Sequence, residues 1–202
     1  MKILEDAVFE LEKRTEGSGC EEGVIDLFTD PGVKICQYER GACMMASYGG
    51  RSGEFVTFEP TRAKTRLSFM FGAVLETPRM RAAACAIINV VTGFLCINRT
   101  LHSCNPECHA PCLYELKEYV KGRTLFILGS SQKLESEFRN QIVTGTGMAD
   151  ITIVTGEGII SGADESLVEK QGKGREILFI SPSTSGVASL GNYPHWCPYG
   201  KG

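Results

Sequence analysis

The chain has 202 residues, 43% of them apolar and 22% charged, which excludes disordered and fibrous architectures and leaves one large domain or two small ones. At this length roughly 70% of the unfolded surface can be buried, so a core needs no metal or disulfide to form. A net charge of −3, from 21 basic and 24 acidic residues, gives no broad electrostatic footprint for nucleic acid or an anionic membrane.

Residues 2–15 read as an amphipathic helix, with Ile3, Leu4, Ala7, Val8 and Leu11 at helical spacing. Short β-type runs follow at Gly23–Phe28, Val33–Tyr38, Ala42–Tyr48 and Glu54–Phe58. Turn signals at Asp30-Pro31-Gly32, Gly49-Gly50 and Ser52-Gly53 separate them. A polar, basic segment from Thr61 to Arg66 leads into Leu67–Leu75, and Pro78 suits the opening of a long helix to about Ile97. This first part, residues 1–100, reads as α+β with an antiparallel meander.

The second part, residues 101–202, alternates helix and strand. Helices are expected at Leu113–Val120, Gln132–Asn140 and Glu165–Lys170, and strands at Thr124–Leu128, Ile151–Val154 and Ile177–Ile180. The strands are short continuous apolar runs, as in a parallel sheet covered on both faces. Right-handed crossovers then build a small Rossmann-like sheet, and the whole chain is of the α/β class.

The longest apolar stretch, Ala82 to Ile97, is 16 residues and contains Asn89, Thr92 and Gly93. That falls short of the roughly 20 residues that span a bilayer and reads as a buried helix. The acidic start Met-Lys-Ile-Leu-Glu-Asp lacks the pattern of a signal peptide. The expected compartment is the cytoplasm, where thiols stay reduced and an odd count of nine cysteines needs no pairing.

Ligands of a parallel sheet sit at the carboxyl ends of its strands. Those ends carry Gly129-Ser130-Ser131, Thr155-Gly156-Glu157-Gly158 and Ser181-Pro182-Ser183-Thr184. Small and hydroxyl residues there let a phosphate or carboxylate approach the backbone. Gly129, Ser130, Gly156, Ser183 and Thr184 are therefore candidate contacts for a nucleotide or other anionic small molecule, with Glu157 an acid/base group. No G-x-G-x-x-G or Walker motif accompanies them, and ordinary βα turns and helix caps are the favoured reading.

The sharpest feature is His102-Ser-Cys104-Asn-Pro-Glu-Cys108-His109-Ala-Pro-Cys112, three thiols at C-x3-C-x3-C spacing. A second group, His195-Trp196-Cys197-Pro198, lies near the other end of the numbering. Together they hold all three histidines and four of the nine cysteines. Pro106 and Pro111 argue for an irregular loop rather than a continuous helix, with Pro111 opening the next helix and Cys112 in its first turn. A helix start lowers a thiol's pKa, and thiolate is the form that binds metal. The loop and the tail both fall at the carboxyl end of the sheet, so Cys104, Cys108 and Cys112 are expected to gain a fourth ligand from Cys197, His195 or His109. Such a set suits an iron–sulfur cluster, or else zinc or another soft metal. Burial as small hydrophobes, or redox-sensitive thiols without metal, are the alternatives. Cys85 and Cys96 read as core, and Cys20, Cys36 and Cys43 as structural, with an accessory site conceivable where Cys36 and Cys43 flank the Glu39-Arg40-Gly41 turn.

Four stretches, taken in order and spacing, carry a family resemblance: Arg81-Ala-Ala-Ala-Cys-Ala-Ile-Ile-Asn89; Val120 to Gly129 with Leu134-Glu135; Ala149 to Thr155; and Ile177 to Thr184. From Arg79 to about Leu190 the chain resembles the heavy-metal chelation family. In its last stretch Ser181 and Ser183 stand where that family's Gly-Pro-Gly-Thr-like loop has glycines. The resemblance implies an enolase-N-like α+β domain joined to a Rossmann-like domain, a ligand cleft between them and a metal-related role. It supplies no catalytic residues, and the Cys104–Cys112 loop and His195–Cys197 tail lie outside it.

Three functions stand at this point: a cytoplasmic metal or iron–sulfur protein for metal handling or redox work; an enzyme acting on an anionic small molecule; and a non-catalytic interaction protein docking through Tyr193, Trp196 and Tyr199. Homo-oligomerisation is left open.

Overall fold

The computed structural model describes residues 2–162 and 175–202. The helix expected over Glu165–Lys170 lies outside them. Helix α1 (Lys2–Thr15) buries Ile3, Leu4, Ala7, Val8 and Leu11 on one stripe, as its spacing dictates. An antiparallel sheet follows, with β1 (Val24–Thr29), β2 (Ala42–Tyr48), β3 (Arg51–Thr57) and β4 (Ala63–Arg66) in the order β3-β2-β1-β4. The β2–β3 hairpin closes through Gly49 and Gly50, both at positive φ (56° and 79°), as a two-residue turn matching the strand twist requires.

Two sequence expectations change here. Val33–Tyr38 forms no strand. β2 and β4 occupy both edges of β1, and Cys36 and Tyr38 anchor instead in apolar packing against the second half of the chain. The polar Thr61–Arg66 segment does contribute a strand. β4 is a charged edge, with Lys64 3.3 Å from Asp26 and Arg66 3.2 Å from Glu22.

After the short α2 (Leu67–Phe71), helix α3 (Pro78–Phe94) begins at Thr77, whose hydroxyl accepts the Met80 N–H at 3.2 Å. It ends three residues before Ile97, and the chain turns through Cys96 at φ 58°. Cys96 is thereby exposed rather than core, while Cys85 is fully buried. α3 is buried on all sides because both halves of the chain pack against it.

The second half forms a parallel sheet in the order β5-β6-β7-β8: β5 (Leu125–Leu128), β6 (Ile151–Val154), β7 (Glu176–Ile180) and β8 (His195–Trp196). Its helices are α4 (His109–Tyr119), α5 (Gln132–Glu137), α6 (Gly156–Ile160) and α7 (Ser185–Leu190). The fold is therefore mixed α/β, an antiparallel sheet followed by a Rossmann-like parallel one. One apolar core runs from Ile25, Met44 and Phe55 through α3 to Val154, Phe179 and Val187. A second, on the other face of the parallel sheet, joins Leu116, Leu125 and Phe138 to Cys36, Tyr38 and Cys112. Among the described residues no helix is long and apolar enough to cross a membrane.

The edge of β3 is covered rather than open. Glu54 N–H donates to the Leu101 carbonyl at 3.0 Å and Val56 N–H to Ser183 Oγ at 2.9 Å. This seam, where the first sheet meets the strand ends of the second, positions the site.

Candidate functional site

The Cys104 loop and the chain's last residues are joined by backbone. Leu101 and His102 N–H groups donate to the Lys201 carbonyl at 2.7 and 2.8 Å, and Lys201 N–H returns to the His102 carbonyl at 2.9 Å. Lys201 Nζ adds a bond to Asn105 Oδ1 at 2.6 Å. The loop continues as a 3₁₀ turn, Pro106–Cys108, and runs directly into α4. The helix thus starts at His109, two residues ahead of Pro111. A proline is tolerated there because first-turn N–H groups have no intrahelical partner. Cys112 lies in that first turn.

The tail enters as β8, paired in parallel with β7 through Phe179–His195 and Ile180–Trp196. Cys197 follows at the carboxyl end. Tyr193 stacks on Phe179 at 5.0 Å, Trp196 on Tyr119 at 5.2 Å, and the Tyr199 hydroxyl donates to Glu115. These aromatics, expected as an exposed docking tail, are half-buried against their own chain.

Cys112 packs with Cys36 and Tyr38 in the second apolar core. Burial raises the Cys197 pKa, and the charges of Cys104 and Cys112 raise it further. Burial likewise raises Cys104, followed by the charges of Cys108 and Cys112. Cys36, read from sequence as structural, joins this group. Burial is the main cause of its raised pKa, then Glu39, with Cys197 and Cys112 contributing. The Tyr38 hydroxyl stands 3.5 Å from Cys112 Sγ. Cys36 and Cys112 pack in one apolar cluster with Tyr38, and Cys36 is a thiol that spacing gave no reason to include. All nine cysteines are free. Among the described residues, no three His, Cys, Asp or Glu side chains stand in geometry that would hold a metal ion.

The two candidate histidines have different surroundings. His195 Nε2 lies 2.8 Å from the Ser181 carbonyl, and burial lowers its pKa. His109 has a buried Nε2 without a hydrogen-bond partner, and burial, then the charge of Lys133, lowers its pKa.

The strand-end residues expected to hold an anion are largely consumed by packing. A Cβ on Gly129 would lie 2.2 Å from Gly158 N, and one on Gly156 3.1 Å from Ser183 Cβ and 3.4 Å from the Phe55 ring. Ser183 and Thr184 are fully buried. Ser130 is exposed, but both its N–H and its hydroxyl donate to Glu157.

Two buried carboxylates were missed by sequence reasoning. Glu54 is fully buried, accepts the Ser103 hydroxyl through Oε1, and lies 3.8 Å from His102 Nδ1. Glu39 accepts the Ser181 hydroxyl at 2.6 Å, and burial pushes its carboxyl up to about 8. The remaining oxygen of each is buried without a hydrogen-bond partner. The available signal for Glu54 was an acid directly ahead of the apolar pair Phe55-Val56 in an expected strand; Glu39 sits in an irregular segment and gave none.

No protein-family model matches the sequence, and no curated protein matches it. Solved structures of similar fold include the following two. One is a DUF364-family protein of unknown function from Pyrococcus horikoshii, 12% identical, with a TM-score of 0.51 over 90% of this chain and 79% of that one. The other is a DUF364-family protein of unknown function from Desulfitobacterium hafniense, 14% identical, with a TM-score of 0.50 over 80% of this chain and 78% of that one. At these identities the likeness is one of architecture: a Rossmann-like α/β fold similar to that of DUF364-family proteins.

Proposed function

We propose that this protein holds an iron–sulfur cluster, or another soft metal, at the thiols of the Cys104–Cys112 loop together with Cys197, and serves in metal handling or cluster-dependent redox work. The observation that carries the reading is the meeting of loop and tail, which joins the Cys104 loop by backbone hydrogen bonds to the segment that follows Cys197. The donor set is sulfur, which selects soft and borderline metals over magnesium or calcium. A single zinc needs its thiolates about 2.3 Å from one point, whereas a cluster interposes several irons and accepts wider spacing. The C-x3-C-x3-C spacing and the all-sulfur donor set favour a cluster. Burial raises the Cys104 and Cys197 thiols, so metal binding at these two releases protons to solvent.

The resemblance to the heavy-metal chelation family belongs to the same reading, as does a cytoplasmic setting, which suits nine free thiols. The enzyme and interaction readings have less behind them, since the strand ends are packed and the aromatic tail is folded back. The test is anaerobic purification of the full chain with iron, sulfide and zinc analysis and a visible spectrum. The expected result is stoichiometric metal, with charge-transfer absorption if iron is present, both lost in Cys112→Ser. Colourless protein without stoichiometric iron or zinc overturns the reading.

A further inference from the structure

Ser52 and Glu54 stand two residues apart on β3, so their side chains share a face of the first sheet. Gly53 between them backs onto α3, where a Cβ would lie 3.1 Å from Val90 N, so the shared face is the one turned away from that helix. Glu54 N–H donates to the Leu101 carbonyl, and the Leu101 and His102 N–H groups donate to the Lys201 carbonyl, which fixes His102 along the edge of β3. Its ring reaches both side chains: Nε2 is 3.3 Å from Ser52 Oγ, and Nδ1 is 3.8 Å from Glu54 Oε2.

The three groups differ in the way an activated nucleophile requires. Glu54 is 0% exposed, its Oε1 accepts the Ser103 hydroxyl, and its Oε2 is buried without a hydrogen-bond partner. His102 keeps 30% of its side chain accessible, and Ser52 is half-buried. Ser52 also borders a groove of about 380 Å³ lined by Val24, Asp26, Ser47, Gly50 and Arg51. Glu54 and Val56 N–H groups point off the outer edge of β3, and by alternation that of Ser52 does too, which offers a backbone donor to an oxyanion formed there.

We propose that Ser52 is a nucleophile for acyl transfer from small carboxylic esters, with His102 its general base and Glu54 a positioning residue for the imidazole. The proposal is independent of the metal reading above. Ser52 Oγ adds to the ester carbonyl carbon, its proton passes to His102 Nε2, and the carbonyl electron pair moves onto oxygen. Collapse of this adduct breaks the bond to the leaving alkoxide, which takes the proton from Nε2 and departs as the alcohol. Water then adds to the acyl-serine through the same base, releases the carboxylic acid and restores the hydroxyl. Nδ1 keeps its proton throughout and directs it at Glu54, whose charge offsets the imidazolium that forms. The 3.8 Å separation is of the loose kind that tightens when substrate binds.

The experiment incubates the full-length protein with a fluorophosphonate, which captures activated serines, and identifies the labelled peptide by mass spectrometry. Hydrolysis of p-nitrophenyl acetate is the secondary measure, because nine free cysteines also attack phenyl esters. The label is expected at Ser52. Ser52→Ala should lose it, and His102→Gln should slow it by roughly a hundredfold or more. Glu54→Gln should slow labelling by roughly tenfold or more without changing the probe concentration that half-saturates the rate, and Glu54→Asp should recover part of the loss. Ser136→Ala, at an exposed position on α5, should label as the wild type does. Circular dichroism checks each fold. Folded wild type that takes no label, or takes it on another residue, overturns the proposal, as does an unchanged rate in folded Ser52→Ala or His102→Gln. An unchanged rate in Glu54→Gln overturns the role given to Glu54.

Discussion

Glu39 shows how one residue reports the seam. Its carboxyl is sealed between Ser181 and the first sheet, and burial moves its pKa from the ordinary 4.5 to about 8. The folded chain therefore keeps a proton that the unfolded chain releases, and the difference favours folding at low pH. That contribution is complete below about 4.5 and declines as pH rises toward 8. Glu39→Gln imitates the protonated form and removes the dependence. In metal-free protein, urea melts at about pH 5 and about pH 8 should show wild type losing up to about 4 kcal/mol relative to the variant. Parallel pH dependences in the two proteins would show that the carboxyl titrates normally. Ser181 carries the same seam in its backbone, at φ 79°, a conformation that glycine adopts freely. A serine there accepts strain and gains a hydroxyl for Glu39, and Ser183 accepts the Val56 N–H. The two serines that depart from the glycines of the resembled loop are thus the residues that bind the sheets together.

Among the elements, α3 is the one on which both sheets close. Asn89 on it donates to the carbonyls of Glu54, Pro182 and Ser183 and accepts the Gly186 N–H at 2.8 Å. The approach depends on missing side chains: a Cβ on Gly186 would lie 2.6 Å from Asn89 Oδ1 and 2.9 Å from its Cα. Gly186→Ala should cost about 1–3 kcal/mol in urea unfolding, because helix backbone must move. Gly72→Ala, where nothing lies within 4 Å, should change stability by no more than about 0.5 kcal/mol. Similar losses in both would mean that the close packing at α3 has no energetic weight. Helices α1 and α3 and strands β5, β6 and β7 are legible in the sequence because burial of a stripe, or of a whole run, leaves a period in it. β4 is not legible, since an edge strand pairs by backbone and needs no apolar pattern. Val33–Tyr38 misleads for the opposite reason. Its apolar residues are real anchors, but what they anchor to is the far half of the chain. The same long-range placement hides Cys36, whereas C-x3-C-x3-C spacing announces the local thiols.

For the molecule as a whole, the bridge between Leu101, His102 and Lys201 is held by three backbone hydrogen bonds at its surface-facing end. The α3 core has packing on every side. A ligand that binds only the folded arrangement stabilises most the contacts that must be in place to bind it. Removing metal from the loaded protein should therefore not loosen the chain uniformly. Hydrogen exchange before and after chelation should show Leu101, His102 and Lys201 losing protection by roughly tenfold or more, while Val90 and Val91 in α3 stay unchanged. Uniform loss would mean that the metal supports the global fold, and no loss would mean that loop and tail meet without it. Of these three patterns, only the first matches a centre that fastens the loop to the tail.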